Sequence, residues 1–214
     1  VLYRNLKIPV CVAADLDAIR ELGTFENILK AVAPKENVGE LMDDCRRIIN
    51  AVKALGPIYD EAHTRETLSN MLDETLDWSN VEQLRRILNT LSDLSDGLSQ
   101  TARLKKGLDS LKTYEVYHDL VAFLNRCRTY GVFLVPVGEL EDWVPQLVPG
   151  GPSKKKKAEW ANYAANQVRE APRGTDDVWD FVRQMAAFQR DEGARLAGYP
   201  SRLAPSASSD CASV

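Results

Sequence analysis

Hydrophobic positions along the chain change period several times, and each change marks an element. Ile8-Pro9-Val10-Cys11-Val12-Ala13-Ala14 is a short apolar, β-branched run that stops at Asp15-Leu16-Asp17. A run without alternation is the profile of a strand covered on both faces, as in a parallel sheet flanked by helices. Residues 18–33 carry a helical pattern interrupted near Gly23 and stopped by Pro34. Leu41, Cys45, Ile48, Ile49, Val52 and Leu55 then recur at threes and fours, and Gly56-Pro57 ends that helix. A further helix is predicted from about residue 60 to residue 76.

Ser79-Asn80-Val81-Glu82 has the form of a capping box, with Ser79 and Glu82 satisfying exposed amides at a helix start. Behind it, Leu84, Ile87, Leu88, Leu91 and Leu94 form a stripe with a period near 3.6. Leu98, Leu104, Leu108 and Leu111 predict the second limb of an antiparallel hairpin. Stripes of this kind serve as core or as the seam for a partner helix. An amphipathic helix over 116–127 is turned by Tyr130-Gly131, and Val132-Phe133-Leu134-Val135-Pro136-Val137 forms the second strand. Pro136 predicts an unpaired far end or an edge. That strand also runs into acid, Gly138-Glu139-Leu140-Glu141-Asp142-Trp143. Two closing helices are predicted over 154–168 and 175–190, the second opened by Thr175-Asp176-Asp177. From about Gly198 onward Pro, Ser and Ala predominate, which predicts a disordered tail.

The order is strand, helix, long helical stretch, strand, two helices. It predicts a predominantly helical α/β chain in which a small parallel sheet receives a large helical insertion. The expected units are 1–38 with the first strand and helix, 39–130 as the helical insertion, 131–195 with the closing strand and helices, and 196–214 as the tail. The chain starts on Val1, close to an internal strand, so a fragment of a longer protein is expected.

Composition narrows the class only a little. With 44% hydrophobic and 27% charged residues in a 214-residue chain, there is material for a real core and no sign of general disorder. The net charge of −4 does not advertise nucleic-acid binding, although a carboxylate site that holds a metal ion would mask such a signal. Cys11, Cys45, Cys127 and Cys211 are widely spaced, which fits neither a disulfide framework nor a zinc site. No run reaches the roughly 20 apolar residues of a membrane span, and no signal peptide opens the chain, so a cytoplasmic protein without membrane association is expected.

The chemistry is concentrated at the strand ends. Asp15 and Asp17, at i and i+2, leave the same face if the chain stays extended, and two close carboxylates invite a hard cation. Glu139 and Glu141 repeat the arrangement on the second strand. If the strands are parallel neighbours, four carboxylates meet at one edge, a geometry suited to one or two Mg²⁺ or Mn²⁺ ions. The plainer reading is two solvated turns with acidic helix starts. Lys154-Lys155-Lys156-Lys157 opposes the dipole of the helix it opens, so it is either a phosphate grip or a solvated loop. Trp160 and Tyr163, three apart on one face, are read as packing on the sheet or stacking on a base, with packing the expectation. His63 and His118 belong to no metal or nucleophile motif, and phosphate-binding loops and hydrolase elbows are missing.

The segment from Ile8 to Asp17 resembles the second acidic motif of Toprim domains, a strand ending in D-x-D. Gly131 to Trp143, followed by the lysine run and Trp160, is similar to the closing part of the Toprim region in nucleases of the overcoming-lysogenization-defect type. The resemblance covers about the first 30 residues and roughly 130–190. It implies a partial Toprim-like sheet with Asp15 and Asp17 as metal ligands, and Glu139 or Glu141 completing the site catalytically. One lysine of the run, with Lys157 the choice, would neutralise transition-state charge. It also implies Mg²⁺ or Mn²⁺, DNA as substrate, and an ATPase domain or chain as partner. The glutamate-bearing first strand of a Toprim domain has no counterpart ahead of Ile8, so the chain by itself is expected to be an inactive fragment or degenerate form of a metal-dependent endonuclease. The alternative is a non-catalytic helical module for protein interaction or homodimer formation.

Overall fold

The computed structural model describes residues 6, 8–138, 143, 152, 156–170 and 178–196. Two four-residue strands, β1 (Val12–Asp15) and β2 (Val132–Val135), pair in parallel with Val12 opposite Val132 and Asp15 opposite Val135. Among the described residues they form one two-stranded sheet. Parallel neighbours require a crossover, and everything between residues 16 and 131 supplies it.

That crossover begins with a 3₁₀ turn, Leu16–Arg20, and continues through α1 (Leu22–Val32), α2 (Lys35–Ala54), α3 (Glu61–Asp73) and α4 (Val81–Leu98). A short α5 (Ala102–Lys105), a second 3₁₀ turn (Leu108–Leu111) and α6 (Val116–Thr129) lead into β2. After β2 come α7 (Lys157–Glu170) and α8 (Val178–Leu196). The chain is thus predominantly helical with a small parallel sheet, as its hydrophobic pattern predicts.

β2 is buried along its whole length because both its faces are covered. Val132 and Leu134 point into a core built from α1, α2 and α6, where Phe25, Leu29, Leu41, Cys45, Ile48 and Leu120 are sealed from solvent. Phe133 and Val135 point the other way, against Phe181, Met185 and Phe188 of α8. The rings of Phe133 and Phe181 meet edge to face at 5.8 Å. β1 differs from expectation: it has one paired neighbour among the described residues, Ala13 is exposed, and Ile8 ahead of it is 44% exposed. Its apolar run is therefore covered less completely than that of β2.

Two other local expectations are corrected. The cap of α4 is Asn80, whose side chain accepts from the Gln83 amide at 3.1 Å. Ser79 is occupied elsewhere, its hydroxyl donating to Asp77 at 2.6 Å. Gln83 reaches back so that its Oε1 accepts from the Asp77 amide and its Nε2 donates to the Thr75 carbonyl, fixing the entry to the helix. The leucines from 98 to 111 do not extend a hairpin limb. The chain turns at Ser99 and places Leu104 and Leu111 in the core from two short pieces. The expected tail and the Thr175-Asp176-Asp177 cap lie outside the described residues.

Charged pairs lace the outer surface of α2 to α6. Arg126 bridges Glu40 at 3.0 Å and also engages Asp44, while Arg47 reaches Asp119 at 3.0 Å. The more exposed of these, Arg126–Glu40 and Arg47–Asp119, contribute little beyond orientation.

Candidate functional site

Two regions carry functional potential: the C-terminal edge of the sheet and the α3–α4 arm. At the edge, Asp15 is the last residue of β1, and the chain tightens into its 3₁₀ turn at Leu16. This corrects the expectation that Asp15 and Asp17 share a face. Each 3₁₀ residue rotates the chain by about 120°, so Asp17 does not follow the two-residue repeat of an extended strand. Asp17 lies 3.5 Å from the Arg20 guanidinium.

The strand ends are tied together by backbone. The Leu16 amide donates to the Gly138 carbonyl at 2.8 Å, and the Leu108 amide donates to the Pro136 carbonyl at 2.7 Å. The far end of β2 is thus hydrogen-bonded rather than free. Gly138, at φ 103°, passes so close to the Lys105 carbonyl that a Cβ there would collide with it. Gly107, at φ 80°, meets the backbone of Val137 in the same way. Glycine is required at both positions by conformation and by space.

Glu139 and Glu141 lie outside the described residues, as do Lys154 and Lys155. Lys157 is the first residue of α7, and Lys156 beside it pairs with Glu159 at 3.0 Å. Trp160 and Tyr163 pack around Ala164 together with Trp143, so these aromatics form a small apolar cluster. Among the described residues no group of three or more His, Cys, Asp or Glu side chains is placed to hold a metal ion.

Of the other nucleophile and base candidates, Cys45 and Cys127 are buried in the core, whereas His63 and His118 sit on the surface. Burial pushes the thiols of Cys45 and Cys127 up to about 12, so neither supplies a thiolate near neutral pH. The His63 ring lies tilted against Tyr59 at 4.4 Å, and His118 lies edge-on to Tyr117 at 5.4 Å.

The arm presents a different surface. α3 starts at an Asp60 cap that accepts from the His63 amide at 2.8 Å, yet it buries no side chain. α4 buries only Leu94 and Gly97. The arm is anchored where Tyr59 lies across Gly97, so closely that a Cβ at 97 would run into the ring. Tyr59 also donates to Asp93 at 2.8 Å, and that hydrogen bond holds its phenol above the usual range. Beyond this anchor, Leu72 is 85% exposed, Trp78 76%, Leu88 66% and Val81 65%. Leu68, Leu72 and Leu98 line a cleft of about 580 Å³ together with Pro57 and Tyr59. The leucine stripe was visible in the sequence; its exposure was not, because period alone does not say which flank a neighbour covers.

No helix of the described residues is long and apolar enough to cross a membrane. No protein-family model matches the chain, and neither a curated protein nor a solved structure matches it significantly.

Proposed function

We propose that this chain is a non-catalytic helical interaction module whose docking surface is the α3–α4 arm. The carrying observation is the concentration of exposed large apolar side chains between Leu68 and Leu98, on two helices that bury almost nothing of their own. A monomeric protein seldom leaves such surface in water, and apolar patches of this kind mark interaction sites. The acidic edge supports the same reading, since Asp17 lies in the 3₁₀ turn and pairs with Arg20.

Replacing Leu72 and Leu88 by glutamate tests whether the surface is free. With stability extrapolated to infinite dilution, so that association does not contribute, the double variant should unfold within about 0.5 kcal/mol of wild type. A loss above about 2 kcal/mol would mean that the chain itself covers these side chains, and the reading would fail.

A second reading, metal-dependent hydrolysis of nucleic-acid phosphodiesters, draws on one observation. β1 and β2 are parallel neighbours in register, so Asp15 stands opposite Val135 on the strand that leads to Glu139 and Glu141. In that reading DNA is the substrate and an ATPase chain the partner, as the Toprim resemblance implies. Calorimetric titration with Mn²⁺ or Mg²⁺ decides it: saturable binding abolished by Asp15→Ala/Asp17→Ala favours hydrolysis, and no heat in either protein counts against it.

A further inference from the structure

The exposed side of α4 is ordered as well as apolar. On a helical projection its apolar and small residues span a sector of roughly 200°, about twice the stripe a core-facing helix needs. One half of that sector, with Ile87, Thr90, Leu94 and Gly97, is buried or half-buried by the chain itself. The other half carries Val81, Leu84, Leu88, Leu91, Ser95 and Leu98; Leu84 is half-buried and the remainder are exposed. These six positions follow one another at intervals of three, four, three, four and three. This is the spacing of a two-helix seam, and it reads the same from either end.

We infer that the occupant of this seam is a second copy of the chain, with its α4 antiparallel about a twofold axis passing between Leu88 and Leu91. The inference rests on the interaction reading and names its partner. A twofold interface is self-complementary, and the palindromic spacing meets that condition. Val81 falls against the partner's Leu98, Leu88 against the partner's Leu91, and Leu84 against the partner's Ser95, where the small residue leaves room. The anchored ends of the two helices then lie apart by about 27 Å, the length of an 18-residue helix, so the two cores stay at opposite ends.

Area and charge agree with this occupant. A standard interface takes about 800 Å² from each partner, and the arm leaves eight large apolar side chains exposed between Leu68 and Leu98. Trp78, 76% exposed and three residues ahead of Val81, lies at the end of the seam that receives the partner's Leu98, a residue of the cleft with Leu68 and Leu72. On the polar rim, the antiparallel register brings Arg85 beside the partner's Asp96, twice by symmetry. Within one chain Arg85 bridges Glu82 at 2.9 Å and Asp96 bridges Lys105 at 3.1 Å. Both pairs are solvent-exposed and exchange partners at little cost.

Sedimentation equilibrium of the full chain between about 1 and 200 µM, the range in which a standard-sized interface of moderate affinity is read, tests the inference. Wild type should sediment as a dimer, and Leu88→Glu/Leu91→Glu should weaken association by about 100-fold or more, because four carboxylates then meet at the axis. Arg85→Asp and Asp96→Arg should each weaken the dimer by roughly fivefold, and the two together should restore it. Restoration is specific to pairing between copies, because residues 85 and 96 of one helix stand roughly 16 Å apart. A monomeric wild type, a dimer indifferent to the axial glutamates, or charge reversals that do not rescue one another would each overturn the second copy as occupant. None of these outcomes touches the docking surface itself, which is judged by the dilution-extrapolated stability of Leu72→Glu/Leu88→Glu.

Discussion

Helices α2 and α4 are nearly matched in length, at 20 and 18 residues, and both are amphipathic, yet they meet different fates. α2 buries seven side chains, from Val38 to Val52, between α1 and α6. α4 buries two residues and leaves Val81, Leu88, Leu91 and Leu98 in solvent. The difference lies in what surrounds each helix rather than in its own pattern. Amphipathicity states that a face favours cover, and only the tertiary neighbours decide whether the same chain provides it.

Substitutions that treat the two helices alike should separate them most sharply. Leu41→Ala, at a fully buried position of α2, should cost about 3 kcal/mol in urea unfolding, because the cavity is lined by packed neighbours on α1 and α6. Gly138→Ala comes next, at about 2 kcal/mol, since its φ and the Lys105 carbonyl both oppose a side chain; the same measurement reads it. Asn80→Ala removes the α4 cap and should cost about 1 kcal/mol, appearing in hydrogen exchange as faster exchange in the first turn of α4 with the core unaffected. Leu88→Ala should change the stability extrapolated to infinite dilution by less than about 0.5 kcal/mol. If Leu88→Ala cost as much as Leu41→Ala, the contrast between the helices would collapse.

Much of this architecture was legible from residues alone. The unbroken apolar run from Val132 to Val135 announced a strand covered on both faces, and Phe133 and Leu134 do face separate clusters. The stripe from Leu84 to Leu94 announced a helix, and Gly56 marked the end of α2 with its positive φ of 74°. The failures have specific causes. Ser79 and Asn80 are both good caps, and the choice between them was made by Asp77, which engages Ser79 first. Asp15 and Asp17 read as a strand pair because nothing in D-L-D forbids extension; the 3₁₀ turn forms as Leu16 is drawn into the core and its amide into a bond with Gly138. The second half of the expected acid cluster, Glu139 and Glu141, lies outside the described residues.

The pairing of Val12 with Val132 also has a kinetic side. The sheet cannot form until a loop of roughly 120 residues has closed, which is the kind of non-local contact that slows folding. Closure entropy grows only with the logarithm of loop length, so excising the arm, about a third of that loop, would ease closure by only about 0.4 kcal/mol. The arm is therefore nearly neutral in the search for the native sheet. The rate should instead follow how early α1, α2 and α6 condense and carry the two strands toward each other.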